Sequence, residues 1–310
     1  MGSRRSRSLP ILLLLSCAAC SSSTAQTSRA DGGAPAGFTK IDDMEQGDGT
    51  IEWAPPAGLA PGNWYSATDC STARDIWPPG ATANAGILTL SSWSSSPLTT
   101  PHETFPGIVS TRAARVHTIS PILGGWGASM DVALATAPAL SVEIVPTGGP
   151  DAGAAGFDAS PGPPAGCPIV LGAEASSDLS AYAGITFWAQ GDPTGARTVR
   201  VIFLDANTDP RGGICNYVDS NSPDYCYNGF STTIALTGAF TRYTVDFASL
   251  AQTPTWGYHP NPDVFDVQHV YQLLFQIDAP RCYLHEMCVG GAPPPLSFDF
   301  WIDDLYFVNK

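Results

Sequence analysis

The feature that most constrains the fold is a series of short segments in which apolar and polar residues alternate. AGITFWAQG, TVRVIFLDA, TRYTVDFASL and VYQLLFQID each place apolar side chains at every second position. A period of two is that of a β-strand with one buried face. The 310 residues also include 31 glycines and 28 prolines, which end strands and form turns. The sequence therefore predicts an all-β fold, a two-sheet β-sandwich of the jelly-roll kind.

The same alternation assigns side chains to the two faces of each predicted strand. We expect the core face to carry apolar residues, namely Ile185, Phe187, Ala189, Val199, Val201, Phe203, Tyr243, Val245, Phe247, Tyr271, Leu273, Phe275 and Ile277. The opposite face of these strands then carries more polar side chains, including Trp188, Gln190, Arg200, Gln272 and Gln276. Any ligand site on a strand should use this second set.

The N-terminus has the pattern of an export signal. MGSRRSRS is basic, LPILLLL is a short apolar run, and SCAACSSS follows. Residues 1–20 resemble a bacterial lipoprotein signal, in which a cysteine is lipidated. We expect Cys17 to be that cysteine, with Cys20 as the alternative, and an ordinary cleaved secretory signal as a third possibility. The chain is thus expected to be exported, as an outer-membrane or cell-surface lipoprotein or as a periplasmic or secreted protein.

The remaining chain divides into a tether and one domain. Residues 21–37 are small, polar and rich in Gly and Pro, which predicts a flexible tether. Residues 38–310 are predicted to form a single domain with an inserted loop at about 147–177. The 14 basic and 28 acidic residues give a formal charge of −14, and the domain has no basic cluster. This balance argues against nucleic acid as a partner and leaves the lipid anchor as the expected membrane contact.

Six cysteines lie beyond the signal, an even number that predicts disulfides in an oxidising compartment. Six cysteines allow 15 pairings. The simplest set joins neighbours in sequence: Cys215–Cys226, Cys282–Cys288 and, with the remaining two, Cys70–Cys167. The alternative for CYLHEMC is that Cys282, His285 and Cys288 are metal ligands.

The order of several motifs resembles a known family. The motifs are IDDMEQGDG (41–49), ILGGWGASMDVAL (122–134), DLSAYAGITFWAQG (178–191), GGICNYVDSNSPDYCYNGF (212–230), RYTVDFASLAQTPTWG (242–257) and FDFWIDDLYFV (298–308). Together they resemble the galactose-binding-like jelly rolls of bacterial secreted carbohydrate-binding proteins, near the family-11 carbohydrate-binding modules. The chain is also similar to the complex I intermediate-associated protein 30 family. It departs from both in the insertion at 147–177 and in an extra segment at 280–295.

The resemblance implies a structural calcium ion where the first and last strands meet. At one end the chain has Asp42, Asp43 and Glu45, and at the other Asp303 and Asp304. Calcium takes six to eight oxygen ligands, so clustered carboxylates suit it. The alternative is that one aspartate caps a turn and the other faces water.

The resemblance also implies a polysaccharide or oligosaccharide as partner. Sugars present apolar C–H faces to aromatic rings and hydroxyl groups to planar polar side chains. We expect Trp188, Trp256 and Tyr258 to supply the rings, and Arg200, Gln272 and Gln276 to supply hydrogen bonds from strands of one sheet.

The sequence has no motif that indicates catalysis. It lacks G-x-S-x-G, P-loop, H-E-x-x-H and G-x-G-x-x-G patterns, and its five histidines have no metal-binding spacing. We therefore expect a non-catalytic carbohydrate-binding protein. The alternatives are a polysaccharide hydrolase with a carboxylate pair that the sequence does not reveal, and a surface scaffold or adhesion lipoprotein.

Overall fold

β-Strands make up nearly all the regular structure of the chain. The computed structural model describes residues 34–68, 76–77, 96–118, 127–137, 143–145, 169–171, 174–192, 198–217, 222–278 and 298–310. The strands are β1 Phe38–Asp42, β2 Ala60–Pro61, β3 Trp64–Thr68, β4 Ile76–Trp77, β5 Ser96–Phe105, β6 Ile108–Thr118, β7 Gly127–Ala133, β8 Ala135–Thr136, β9 Glu143–Val145, β10 Ile169–Leu171, β11 Glu174–Ala175, β12 Tyr182–Gly191, β13 Thr198–Asp205, β14 Phe230–Ala235, β15 Thr241–Asp246, β16 Val270–Asp278 and β17 Asp299–Asn309. Single 3-10 turns occupy Pro210–Gly212 and Phe247–Ser249. Over these ranges the chain has no helix long and apolar enough to cross a bilayer.

The larger sheet has seven antiparallel strands, with β17 at its centre. The order is β15–β12–β17–β6–β4, β1 also pairs with β17, and β5 pairs with β6. Strand β12 follows one edge of β17 from end to end. On the other edge, β6 pairs with residues 299–302 and β1 with residues 305–308. The change of partner falls at Asp303 and Asp304.

The second sheet has five strands in the order β14–β13–β16–β7–β3, and each neighbouring pair is antiparallel. Two small sheets accompany it, β11–β8–β2 and β10–β9. Of the loop predicted at 147–177, only its C-terminal part is described, and β10 and β11 lie there.

The two large sheets pack face to face, which confirms the predicted β-sandwich. The ring of Phe187, on the seven-stranded sheet, lies 5.1 Å from that of Phe275, on the five-stranded sheet. The face predictions hold for ten of the expected core residues, each at most 1% exposed: Ile185, Phe187, Ala189, Val199, Val201, Phe203, Val245, Leu273, Phe275 and Ile277. Each large apolar side chain buried there contributes roughly 1.5–3 kcal/mol.

A disulfide joins Cys215 to Cys226, as the sequence predicts, with their Cα atoms 5.0 Å apart. It closes a loop between β13 and β14. Cys70, Cys167, Cys282 and Cys288 lie outside the described residues, as do Cys17, Cys20 and the predicted signal. Residues Ala34–Lys310 form one compact unit.

Candidate functional site

The outer surface of the five-stranded sheet carries an unusual density of polar side chains. Arg200 on β13 lies opposite Gln276 on β16, and Gln272 lies two residues before Leu274 on the same face of β16. Leu274 in turn pairs with Asp131 on β7, and Asp131 pairs with Tyr65 on β3. We call this surface the polar face, after Tyr65, Asp131, Arg200, Gln272 and Gln276. Three of its five residues are those that the sequence predicted.

One half of the polar face is organised around Asp278. Its carboxylate accepts a hydrogen bond from Gln276 Nε2 at 2.7 Å and one from an Arg200 guanidinium nitrogen at 3.0 Å. Arg200 also donates to Thr253 Oγ1 at 3.3 Å. The side chain of Asp278 is 46% exposed and that of Arg200 19%, whereas Gln276 is buried, so the group meets solvent mainly at Asp278. Fixed donors and acceptors at a surface are what hydroxyl recognition requires.

The other half is organised around Arg211, in the 3-10 turn after β13. Its guanidinium lies 2.9 Å from Glu174 and 2.8 Å from Asp209, both of which are buried. With its amide oxygen turned toward the guanidinium, Gln272 accepts from Arg211 at 2.8 Å and from the Tyr65 hydroxyl at 2.6 Å. Gln272 is therefore a fixed member of a buried network and presents little of its own surface.

Burial raises the pKa of two carboxyl groups, Asp131 on the polar face and Asp209 beside Arg211. It raises the pKa of Asp131 to about 7, and the charge of Glu174 adds to this effect. It raises the pKa of Asp209 to about 6, although Arg211 opposes the change. Desolvation penalises the charged form of a carboxyl group, which accounts for both directions.

An aromatic loop adjoins the polar face. Trp256 is 41% exposed, and its ring centroid lies 6.0 Å from that of Tyr225 at a steep angle. Tyr258 is half-buried, and its backbone amide donates to the carbonyl of Tyr225. Thr253, which accepts from Arg200, belongs to the same loop. Two of the predicted aromatic residues therefore belong to a loop that contacts one of the predicted polar residues, Arg200.

Trp188 does not join them. It lies on β12, in the seven-stranded sheet, where it pairs with Asp303, and its ring is 5.8 Å from that of His102. The expectation that all the predicted strand residues share one sheet is wrong for this residue. Alternation shows that Trp188 is on a non-core face, but it does not show to which sheet the strand belongs.

The acidic pair in β17 is buried where β17 changes partner. Asp304 has a φ of 45°, and its amide donates to Asp303 Oδ1 at 2.8 Å. The Tyr306 hydroxyl donates to Asp304 Oδ1 at 3.2 Å, and His102 Nε2 lies 3.6 Å from Asp303 Oδ2. Burial, and then the charge of Asp304, raise the pKa of Asp303 well above its ordinary range. A left-handed residue here is strained, so the local backbone is held by its surroundings.

The other predicted calcium ligands lie in two places. Glu45 accepts from the amide of Thr111 at 2.6 Å and from Ser110 Oγ at 3.1 Å, and its charge further raises the pKa of Asp303. Asp43 instead lies 3.0 Å from Lys40 Nζ, which is also 2.8 Å from Glu52.

The acids near Asp303 are of the type that binds calcium, although the oxygens of Glu45, Asp303 and Asp304 do not all come within 4.8 Å of one another in the described residues. Glu45, Asp303 and Asp304 offer hard carboxylate oxygens, and burial makes a compensating cation favourable. Asp303 Oδ2 is buried and accepts no hydrogen bond within the part of the chain that the structure describes. Within that part, one group of three acids brings its oxygens within 4.8 Å of one another, and it consists of Asp42, Asp43 and Glu52, beside Lys40.

Sequence reasoning missed several residues of this site. They come from separate loops and strands, so no local spacing connects them: Tyr65, Asp131, Glu174, Arg211, Tyr225 and Asp278. One signal was available. Asp131 interrupts the apolar run of ASMDVAL, and a carboxylate within a strand requires a polar environment.

No protein-family model and no curated protein matches the sequence. Among solved structures, the chain is similar to the family-11 carbohydrate-binding module of a Clostridium thermocellum cellulosomal cellulase, at 10% identity and a TM-score of 0.40, covering 89% of this chain and 97% of that one. A family-11 carbohydrate-binding module from Clostridium thermocellum in complex with a β-1,3-1,4-mixed-linked tetrasaccharide gives 9% identity and a TM-score of 0.37, covering 85% of this chain and 96% of that one. A family-30 carbohydrate-binding module from the same organism gives 12% identity and a TM-score of 0.31, covering 70% of this chain and 86% of that one. Similarity of this size does not identify a ligand.

Proposed function

We propose that this chain is an exported, lipid-anchored and non-catalytic carbohydrate-binding protein that recognises a polysaccharide at the polar face and its aromatic loop. The observation that carries the proposal is the position of Trp256. Its exposed ring belongs to the loop whose Thr253 accepts a hydrogen bond from Arg200. Arg200 and Gln276 in turn both donate to Asp278, so these polar groups are already fixed by one another. An apolar ring next to preorganised polar groups suits a sugar ring and its hydroxyls, and preorganisation reduces the entropy lost on binding.

Affinity electrophoresis of the purified mature protein against a panel of soluble polysaccharides tests this proposal. We expect at least one polymer to retard the protein, with no release of reducing sugar. Trp256→Ala should reduce the affinity by about tenfold, since exposed tryptophans often dominate an interface. Retardation by none of the polymers would contradict the proposal and favour the scaffold or adhesion alternative.

Hydrolysis is a second candidate because of Asp131. A carboxyl group with a pKa of about 7 can serve as a general acid at neutral pH. Release of reducing sugar by the wild type, lost in Asp131→Asn, would favour this candidate over binding alone.

The lipid anchor is proposed at Cys17, on the signal-like sequence of residues 1–20. Metabolic labelling with a radioactive fatty acid in a bacterial host should label the wild type and Cys20→Ala but not Cys17→Ala. The reverse pattern would move the anchor to Cys20, and no labelling in any variant would indicate an ordinary secretory signal.

The proposal includes a structural calcium ion. Glu45, Asp303 and Asp304 would hold it, and it would neutralise the buried acids where β17 changes partner. Its role would be in stability, remote from the polar face.

A further inference from the structure

The most exposed tryptophan of the described residues belongs to a loop without regular secondary structure. Trp256 lies between the 3-10 turn at Phe247–Ser249 and β16. A loop that presents an aromatic ring loses conformational entropy on binding unless something already holds it. The hydrogen bonds of residues 252–259 should therefore show whether the ring is held in place.

Those hydrogen bonds converge on Asn228, which is only 2% exposed. Its side-chain nitrogen donates to the carbonyl of Trp256 and, at 3.2 Å, to the carbonyl of Thr253. Its side-chain oxygen accepts from the amide of Thr253 at 3.1 Å. The same nitrogen lies 3.2 Å from Nε2 of His259, whose Nδ1 lies 3.2 Å from Asp263. One amide therefore contacts the loop before, at and after Trp256.

The backbone around Asn228 and the loop fit closely. Gln252 Nε2 donates to the carbonyls of Asn228 and Tyr258. Gly257 has a φ of 69°, and a Cβ atom there would lie 2.6 Å from Cβ of Asn228 and 2.9 Å from the carbonyl oxygen of Tyr225. A side chain at position 257 would therefore force the loop away from Asn228, for steric as well as conformational reasons.

We propose that Asn228 is a positioning residue for polysaccharide binding, which acts by fixing Trp256 next to the polar face. The inference rests on the proposed function. Asn228 is buried, so it acts through the loop and has no contact of its own with a sugar. The disulfide of Cys226 holds the chain two residues before it, and Arg200 is linked to the loop through Thr253.

A double-mutant cycle with Trp256 tests this role. Asn228→Ala should weaken polysaccharide binding by about as much as Trp256→Ala, roughly tenfold. The double variant should be no more than about twofold weaker than Trp256→Ala, because residues that act as one unit are not additive. If the loss of affinity in the double variant equals the product of the losses in the two single variants, Asn228 acts independently of Trp256 and the proposal is overturned. Unchanged binding in Asn228→Ala would also overturn it.

A spectroscopic measurement separates failure of this proposal from failure of the proposed function. The chain has eight tryptophans, and labelling with 5-fluorotryptophan gives each a ¹⁹F resonance. Trp256→Phe identifies the resonance of Trp256. In Asn228→Ala this resonance should shift toward that of a solvent-exposed ring while the others keep their positions. An unmoved Trp256 resonance would overturn the proposal even if no polysaccharide binds.

Gly257→Ala provides an independent route if Asn228→Ala does not fold. It leaves the Asn228 amide in place but pushes the loop away, so it should move the same resonance and reduce binding by a similar factor. Asn207→Ala is the matched control, since among the described residues the Asn207 side-chain amide donates one long hydrogen bond, to Asp205 at 3.5 Å. It should change neither measurement.

Discussion

Two regions of the molecule each bury a pair of carboxylates, but they compensate the charge in different ways. Next to the five-stranded sheet, Glu174 on β11 and Asp209 before the 3-10 turn share the guanidinium of Arg211. On the seven-stranded sheet, Asp303 and Asp304 contact a backbone amide, a tyrosine hydroxyl and His102. A charge removed from water must be paired, protonated or bound to a metal. The first pair therefore has a cation of the chain beside it, whereas at the second pair burial and the charge of Asp304 raise the pKa of Asp303, which favours a proton there.

Of the substitutions that test this comparison, removal of Arg211 should change the free energy of unfolding most. Arg211→Met leaves two buried carboxylates without their cation, so we expect a loss of about 3–5 kcal/mol in the free energy of unfolding at pH 7. Denaturant unfolding measures it. Arg200→Met is the matched control, because its partner Asp278 is 46% exposed, and it should cost less than about 1 kcal/mol. Equal losses in the two variants would contradict the assignment of Arg211 as the compensating charge.

The raised pKa of Asp131 should make the folded protein less stable as the pH rises. Burial raises it from 3.8 to about 7, so between these values the folded state holds a proton that the unfolded state has lost. Stability is then fully present at low pH and declines as the pH rises toward 7, by about 3 kcal/mol between pH 5 and pH 8.

Asp131→Asn should reduce the total loss of stability over this range by about that amount, and urea unfolding at several pH values measures it. A slope of the same sign and of at least similar size should remain, because burial also raises the pKa of Asp42 to about 8 and that of Asp209 to about 6. A slope in Asp131→Asn as steep as in the wild type would show that Asp131 is not responsible.

A smaller effect is expected from chelation. If calcium neutralises Asp303 and Asp304, a hundredfold excess over its dissociation constant contributes about 2.7 kcal/mol. Chelator should lower the melting temperature by several degrees, calcium should restore it, and magnesium should do so poorly because it needs a tighter octahedral site. Asp304→Asn should reduce the change in melting temperature that chelator and calcium produce. Asp48→Asn, at an exposed turn, should leave that change as in the wild type. Metal-free protein by elemental analysis, with unchanged melting, would refute the calcium site.

The smallest effect should follow substitution of Trp188. Because it lies on the opposite sheet, Trp188→Ala should leave polysaccharide affinity within about twofold of the wild type at a temperature where both are folded. Trp256→Ala provides the comparison in the same electrophoresis. A loss as large as that of Trp256→Ala would place ligand on the seven-stranded sheet instead.

Alternation predicted the architecture well because burial imposes a strict period on a strand. Ile185 and Phe187, or Val199 and Val201, could not face solvent without a large loss of apolar burial. The same rule predicted the outer positions of Arg200, Gln272 and Gln276. It could not assign Trp188 to a sheet, because strand order depends on contacts distant in sequence.

The candidate site was harder to predict because its geometry depends on loops. Arg211, Tyr225 and Asn228 lie in the segment around the Cys215–Cys226 disulfide, where no periodicity applies. The acidic pair was identified from sequence as an anomaly. Its position, where β17 passes from β6 to β1, became visible only with the register of all three strands.

The central position of β17 has a consequence for synthesis of the chain. Its residues contact partners far earlier in sequence: Arg115 bonds Asp299 across 184 residues and Thr39 bonds Asn309 across 270. Until residues 299–309 leave the ribosome, β1 has no partner in the larger sheet and β12 lacks one of its two neighbours. Contacts this distant in sequence slow folding. The seven-stranded sheet therefore cannot be completed before residues 299–309 have been made.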